Sequence, residues 1–445
     1  MPPKDRRKCR KQAGRNGCRQ IMDGYQKKVN KKSNRAKMHI LLLFFLILLL
    51  FGLYFLFVPS IKVPSPVSDT DYFSATQLEE LKFAAAYHRA HRIIGLARFL
   101  STLFLIVLFI VGFGKTLEEW VFNPSCPVRS ALLFFLFFYI AYFIVSLPFA
   151  YASGVLVERT FGFLKMSTSQ WFILHIKSEA IYLVLGALTV TILFFFIRRF
   201  EDFWWLPATG ILTAISVFIA FISPLVIEPL FAKFTPLLDE KLKDDLIKVA
   251  EKAGFKVKDI LISDESKRTT HTNAYFSGVG TTRRIVLYDT LLTDFTPDEV
   301  RLIVAHEAGH SKHHHIGKGL LLNALGVAVF LCFFALLLSS YCSSGEFKFA
   351  YQPRVVALFA LWVLAVSFLS TPLTNFVSRK MEIQADKESL LLTNDVEAFI
   401  SSEVKLAVNN LSELHPHPLV YLFYYTHPTT LERIALAEQH RKKQD

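Results

Sequence analysis

The sequence predicts a mainly α-helical integral membrane protein, with seven transmembrane helices and a small α+β unit built from two separated polar segments. Three observations carry this. Of the 445 residues, 52% are hydrophobic and 43 are phenylalanine, and mean hydropathy is positive. The apolar residues collect in runs of about 20, the length at which a helix crosses the hydrocarbon core of a bilayer. After the fifth run the pattern changes to short alternating and amphipathic segments, as in a water-facing unit.

In chain order, residues 1–37 come first. They hold fourteen Lys or Arg against Asp5 and Asp23, a local charge of +12 within a total of +13. The basic character belongs to this tail, whose composition predicts disorder. Such a tail suits anionic lipid headgroups or nucleic acid. The body is close to neutral, so membrane lipids are expected as partners and nucleic acid is not. Residues 38–227 carry spans one to five, at about 38–58, 99–114, 131–152, 180–197 and 206–226. The first is too long for a signal-peptide core and lacks a small-residue cleavage site, so it reads as a retained helix. Residues 228–318 form a large polar loop, 319–374 hold spans six and seven (about 319–341 and 355–374), and 375–445 close the chain. The basic tail points to a cytoplasmic N-terminus, whereas charges in the short loops mildly favour a cytoplasmic 228–318 loop. Five cysteines, at 9, 18, 126, 332 and 342, form no Cys-x-x-Cys pair. They suggest neither a zinc knuckle nor a disulfide framework. Cys126 and Cys342 would share a membrane side, where a bridge is the alternative, but they read first as free thiols.

Inside the polar loop, 239–253 reads as an amphipathic helix ended by Gly254. Residues 260–262, 274–276 and 285–288 read as strands, the last two joined through Gly278 and Gly280. Thr296-Pro297-Asp298-Glu299 marks a helix start, with Thr296 as N-cap, Pro297 at the first position and Glu299 closing a capping box.

That helix carries His306-Glu307-Ala308-Gly309-His310. Two histidines four apart project from one helical face and can meet one metal. Glu307 lies beside the first of them, where its carboxylate can take a proton from attacking water and deliver it to the leaving amine. The pattern alone is common. The capped helix, the apolar Leu302, Ile303 and Val304 before it, and the adjoining span make it specific. A catalytic zinc takes a third protein ligand, and Glu382 is the best candidate. Asp386, four residues on, shares its face and can accept a hydrogen bond from the second ring nitrogen of a ligating histidine. Taken alone, this pair reads first as solvated carboxylates on a juxtamembrane helix. His313 and His314 fall on another face from the ligands and, with His315, read as interfacial polar residues. His415 and His417, between prolines, read as loop packing residues.

These residues match a known pattern. The chain resembles the type I CAAX prenyl proteases, seven-span zinc endopeptidases of the gluzincin group. Four blocks carry the resemblance: His271-Thr272-Asn273-Ala274-Tyr275-Phe276-Ser277-Gly278, the His306 to His310 motif, Ser378-Arg379 with Glu382 to Asp386, and Asn410-Leu411-Ser412-Glu413 through Thr426-His427-Pro428 to Leu431-Glu432-Arg433. The resemblance implies seven helices around a water-filled chamber, with one Zn²⁺ per chain held by His306, His310 and Glu382. It implies that Asn273, Ala274 and Tyr275 hold an extended peptide as an added strand. It places His427 and Arg433 near the metal, His427 stabilising an oxyanion and Arg433 orienting the Glu382 carboxylate. On physical grounds alone, these last two are a loop feature and a helix surface charge. The chain departs from the family pattern at Ala308 and Ser311, where leucine and a bulky aromatic are usual, and in its basic tail.

The expected function is therefore an integral membrane zinc endopeptidase acting near the C-terminus of prenylated CAAX proteins, with Glu307 and His427 catalytic. The expected location is the endoplasmic reticulum membrane in a eukaryote, where Lys442-Lys443-Gln444-Asp445 fits a dilysine signal, or the inner membrane in a bacterium. Two other readings stand beside it: a quality-control peptidase of membrane proteins without prenyl specificity, and a non-catalytic transporter or scaffold.

Overall fold

A computed structural model describes residues 66–444 apart from 201, 255–256, 258 and 279–283. The basic tail, the span expected at 38–58, Gly280, Cys9, Cys18 and Asp445 lie outside the described residues. Among those described, six helices are long and apolar enough to cross a membrane: Ala75–Val111, Pro127–Thr160, Thr168–Arg199, Trp205–Leu230, His315–Ser343 and Val355–Thr393. Their regular α-helical parts are α1 (Ala84–Val111), α2 (Pro127–Tyr151), α3 (Thr168–Arg199) and α4 (Trp205–Ile222) before the polar loop. After it come α7 (His315–Ser343) and α8 (Val355–Thr393).

The helices are longer than the apolar runs that announced them. The first half of α1 carries His88, His91, Arg92 and Arg98, which no apolar window admits. Each finds a partner: His88 Nε2 meets the Leu411 carbonyl at 2.9 Å, and Arg92 donates to Glu413 at 3.0 Å. The helix therefore begins well before the expected residue 99. Similarly, α3 starts at Thr168 rather than near 180, fixed by a capping box between Ser167 and Gln170. Leu103, Phe109, Phe134, Leu193, Phe334 and Leu358 fill one apolar core between the spans. Phe104, Ile144, Val184, Phe218 and Leu373 point outward and stay exposed. Such an apolar exterior suits lipid, and the helices satisfy their own backbone groups there. At one end of the bundle, buried Arg354 pairs with Glu118 and caps the Ile110 carbonyl at 3.1 Å, pinning the start of α8 to the end of α1. Cys126, Cys332 and Cys342 are free thiols.

The polar loop forms β1 (Phe234–Pro236), α5 (Glu240–Lys252), β2 (Ile260–Ser263), β3 (Ala274–Ser277), β4 (Arg284–Tyr288) and α6 (Pro297–Lys312). The sheet order is β1-β2-β4-β3, with β2 and β4 parallel and both outer strands antiparallel to their neighbours. The sequence reading missed β1, a three-residue strand ending in proline, which an edge tolerates because proline lacks a ladder donor. β3 is the other edge strand, so one of its sides is open.

α6 runs between two cores. Val300, Ile303 and Val304 pack with Leu246, Ile285 and Leu287 from the sheet side. Leu302 packs with Phe399, Leu431 and Ile434 from α9 (Val396–Asn409) and α10 (Thr430–Arg441). The Thr296–Glu299 capping box closes its N-terminus as expected. α6 also lies directly on α8. A Cβ at Gly309 would stand 2.9 Å from the Ala385 Cα and 3.0 Å from its carbonyl oxygen, so only glycine lets these backbones approach. α8 continues through 374 without a break, carrying the Glu382–Asp386 face from the membrane to α6.

Candidate metal and catalytic centre

The close approach of α6 and α8 brings three metal-binding atoms together. His306 Nε2 lies 3.1 Å from His310 Nε2, and Glu382 Oε2 lies 3.2 Å and 3.5 Å from the two imidazoles. Among the described residues, this is the one group of His, Cys, Asp or Glu with ligand spacing. The hydrogen bonds behind the rings decide what the three atoms offer. His306 Nδ1 donates to Asp386 Oδ1 at 2.8 Å, leaving a lone pair on its Nε2. His315 Nε2 donates to Gln384 Oε1 at 3.0 Å, so its Nδ1 accepts from His310 Nδ1 at 2.8 Å. That leaves a lone pair on His310 Nε2 as well. Glu382 Oε2 is buried with no hydrogen-bond donor. Two nitrogen lone pairs and a carboxylate oxygen facing one point repel one another unless a cation lies between them. The Asp386 and Glu382 carboxylates beside His306 outweigh its burial and raise its affinity for a cation, a proton included. The donor set, two imidazoles and a carboxylate, fits a zinc(II) ion with a position left open.

Glu307 faces the strand side. Its Oε2 accepts from the Phe276 N–H of β3 at 3.3 Å. Burial raises its affinity for a proton, opposed by His306 and His310, so its carboxylate is a better base than an exposed one.

Arg433, on α10, stands behind the metal-binding atoms. It donates to both oxygens of Asp386, at 2.9 Å and 2.6 Å, and its third nitrogen lies 2.7 Å from Glu403. The expected role of orienting Glu382 is not what this geometry gives. Arg433 reaches across to Asp386, and so acts on His306 rather than on the third ligand. His427 does approach Glu382, with Nε2 3.4 Å from Oε2. Its side chain is 58% exposed, leaving the ring free to meet a ligand. His427, Arg433 and Asn273 line one cavity of about 490 Å³.

The strand residues divide their work. Asn273 Oδ1 accepts from the Ala274 N–H at 2.8 Å, and its carbonyl accepts from Tyr288 N at 3.0 Å. Tyr275 Oη donates to Glu228 at 3.3 Å. His271 clamps the segment to the membrane part, with Nε2 3.2 Å from Glu158 Oε2 and Nδ1 2.9 Å from Asn410 Oδ1. Burial pulls His271 down, but the bonds to Glu158 and Asn410 win and raise it. A histidine raised in the folded state stabilises fully below its unfolded pKa of about 6.5. That contribution disappears as pH climbs through the folded value. Thermal melts in detergent are thus expected to show a loss of stability over that window, which H271Q flattens.

Two contributors escaped the sequence reading. His315 returns to the ligand His310 because His314 adopts a left-handed conformation, φ 55°, between α6 and α7. Helical spacing could not anticipate that break. Glu403 reaches Arg433 only through the packing of α9 on α10. By contrast, His313 pairs with Glu388 at 3.3 Å, His417 caps the Pro418–Tyr424 helix, and His415 lies 3.1 Å from Asp69.

Comparison with known proteins follows this geometry. Residues 236–441 match the family described as peptidase family M48, and residues 61–233 match that described as CAAX prenyl protease N-terminal, five membrane helices. YhfN of Bacillus subtilis, an uncharacterized metalloprotease, is 30% identical over 406 residues, covering 88% of this chain and 93% of that protein. CAAX prenyl protease 1 of Saccharomyces cerevisiae is 32% identical over 316 residues, covering 65% of this chain and 68% of that protein. The crystal structure of S. mikatae Ste24p is similar in fold, with a TM-score of 0.72 at 24% identity, covering 92% of this chain and 96% of that one.

Proposed function

The chain belongs to peptidase family M48, and on that premise we propose that it is an integral membrane zinc endopeptidase that cuts near the C-terminus of prenylated CAAX proteins. The observation that carries the proposal is the cluster of His306, His310 and Glu382 beside Glu307, facing an open strand edge and adjoining two membrane spans. The relatives named CAAX prenyl protease 1 supply the substrate class. Zinc, one per chain, would be held by those three side chains and supplies Lewis acidity, polarising the scissile carbonyl and acidifying water. The protein's own groups do the rest. The free side of β3, from Asn273 through Tyr275, binds the peptide backbone as an added strand. Glu307 takes the proton of the attacking water and passes it to the leaving amine. His427 donates to the oxygen on which negative charge develops. Asp386, held by Arg433, keeps His306 turned with its Nε2 toward the metal.

We further propose seven spans around a chamber, the six described plus residues 38–58. Residues 228–318 and 375–445 together make the peptidase unit, with 38–227 and 319–374 as the membrane part. The membrane is that of the endoplasmic reticulum in a eukaryotic host and the inner membrane in a bacterial one.

One observation favours a second reading. The match to the Bacillus subtilis metalloprotease covers more of both chains than the match to the yeast CAAX protease. A membrane-protein quality-control peptidase without prenyl specificity is consistent with that. The test offers purified protein a farnesylated peptide and its unmodified counterpart. Faster cleavage of the farnesylated peptide, abolished by 1,10-phenanthroline and restored by zinc, is the expected result. Equal cleavage of both removes the prenyl-specific reading, and chelator-insensitive function would leave the transporter or scaffold.

A further inference from the structure

β3 is a strand of four residues with β4 on one side only. The Asn273 carbonyl accepts from Tyr288 N on β4, so strand alternation turns the backbone of Ala274 and Phe276 to the free side. There the Phe276 N–H meets Glu307 at 3.3 Å. The side chains of Ala274 and Phe276 pack into the core with Ile285 and Leu287. Tyr275 and Ser277 share the opposite face, and both reach one carboxylate, that of Glu228. Tyr275 Oη donates to its Oε2 at 3.3 Å, and Ser277 Oγ donates to its Oε1. Arg284, on β4, donates from Nη2 to Oε2 at 2.9 Å. One glutamate thus grips β3 on either side of the residue that meets Glu307, and grips β4 as well.

Glu228 belongs to the membrane part, near the end of the span Trp205–Leu230. It follows directly on a π-helical turn at Ser223–Ile227, which contains Pro224. Such turns are found mostly at functional sites. A second span end repeats the arrangement. Glu158 follows directly on a π-helical turn at Ala152–Val157, near the end of Pro127–Thr160. It accepts from Tyr87 Oη at 2.8 Å and lies 3.2 Å from His271 Nε2. His271 stacks on Phe163 at 4.0 Å, and Thr270 N donates to the Phe163 carbonyl at 3.1 Å. The segment leading into β3 is therefore tied to one span end, and β3 itself to another.

We propose that Glu228 is a positioning residue for the peptide: from the end of a membrane span it holds β3 at the height where a strand added to the free edge lies against Glu307. The proposal rests on the peptidase reading above. An added strand lies about 4.8 Å from its neighbour, so the bond to be cut stands wherever β3 puts it. A misplacement of about 1 Å can cost about 100-fold in rate. The apolar face of β3 fixes its depth against the core, but apolar contacts are not directional. The bonds to Glu228 are directional, and they supply the missing restraint along the strand. A carboxylate suits the task, because its two oxygens can accept all three donors and its charge is balanced by Arg284. Its hydrogen bonds go to β3 and β4, so it acts on the reaction through the strand.

Glu228→Gln fills the same space but offers one acceptor oxygen and no charge to Arg284. In full-length protein in detergent, kcat/KM for the farnesylated peptide, per bound zinc, should fall by about 10- to 100-fold, the weight of one charge-assisted contact. The loss should come chiefly through a higher KM. Unfolded or metal-free protein lowers kcat and leaves KM alone, so the rise in KM is what a merely structural role would not produce. Glu228→Asp keeps the charge and should recover part of the loss. Arg284→Gln should raise KM as well, and the double variant should be no worse than the poorer single one, because both remove the same contact. Glu118→Gln, which weakens the buried pair with Arg354 at the end of the bundle, should lower the melting temperature and leave KM unchanged. An unchanged KM in Glu228→Gln, or an equal rise in Glu118→Gln, overturns the proposal. Hydrogen exchange on the zinc-loaded full-length protein gives a readout free of substrate. Glu228→Gln should speed exchange of residues 272–278 and leave α6 as it is. If wild type cuts neither the farnesylated nor the unmodified peptide, the substrate reading fails, and exchange alone decides whether Glu228 holds the strand. Faster exchange confined to 272–278 sustains that role, and exchange unchanged, or faster throughout the chain, removes it.

Discussion

Replacing Glu307 with glutamine is expected to reduce turnover by about 10²–10⁴-fold while zinc remains bound and KM changes little. The amide fills the same space and can keep an acceptor oxygen near Phe276 N–H, the partner of Glu307 at 3.3 Å. It cannot take a proton from water. The metal-binding atoms on His306, His310 and Glu382 are untouched by the exchange, so metal content measured by mass spectrometry should stay near one per chain. Steady-state kinetics on the farnesylated peptide, with metal content determined on the same preparation, checks both halves. Full activity in E307Q would show that the proton is carried by another group, and loss of metal would show that Glu307 helps to hold it.

Arg433→Ala should act through stability first. Arg433 lies between Asp386 and Glu403, both almost wholly buried, and donates to each. Its removal leaves two carboxylates facing one another without a cation. Breaking such a buried pair typically costs about 3–5 kcal/mol. The loss then reaches the metal, because Asp386 is what turns His306. The expected observations are a lower melting temperature in detergent and weaker zinc retention against a chelator. Arg433→Lys keeps the charge but cannot span both carboxylates, so it should recover stability only in part. A variant with unchanged melting temperature and zinc retention would remove Arg433 from both roles.

The parts of the molecule that were legible in its sequence are those written in local spacing. The His306–His310 interval, the Thr296 cap and the Glu382–Asp386 interval all follow from helical periodicity, and apolar run length located six of the described membrane helices. What spacing does not encode is partnership across the fold. The first half of α1 is helical because Arg92 and His88 find Glu413 and Leu411, more than 300 residues away in sequence. Arg433 chooses Asp386 over Glu382 because α10 packs on α9 and α8 at a particular height. His315 joins the ligands only through the left-handed turn at His314. β1 is too short, and too close to a proline, to show alternation. Gly309 within the motif carried no such reading, because its meaning, the close contact of α6 and α8, depends on Ala385 standing opposite.

The metal-binding side chains stand on α6 and α8, and the chain between them descends through one whole span and returns through the next. An ion bound there does for this stretch what a crosslink does, closing a ring of backbone that contains a transmembrane hairpin. Chelation then opens that ring. The metal-free chain would keep its helices but lose the tie between its lipid-embedded hairpin and its water-facing unit, so demetallation loosens architecture as well as chemistry.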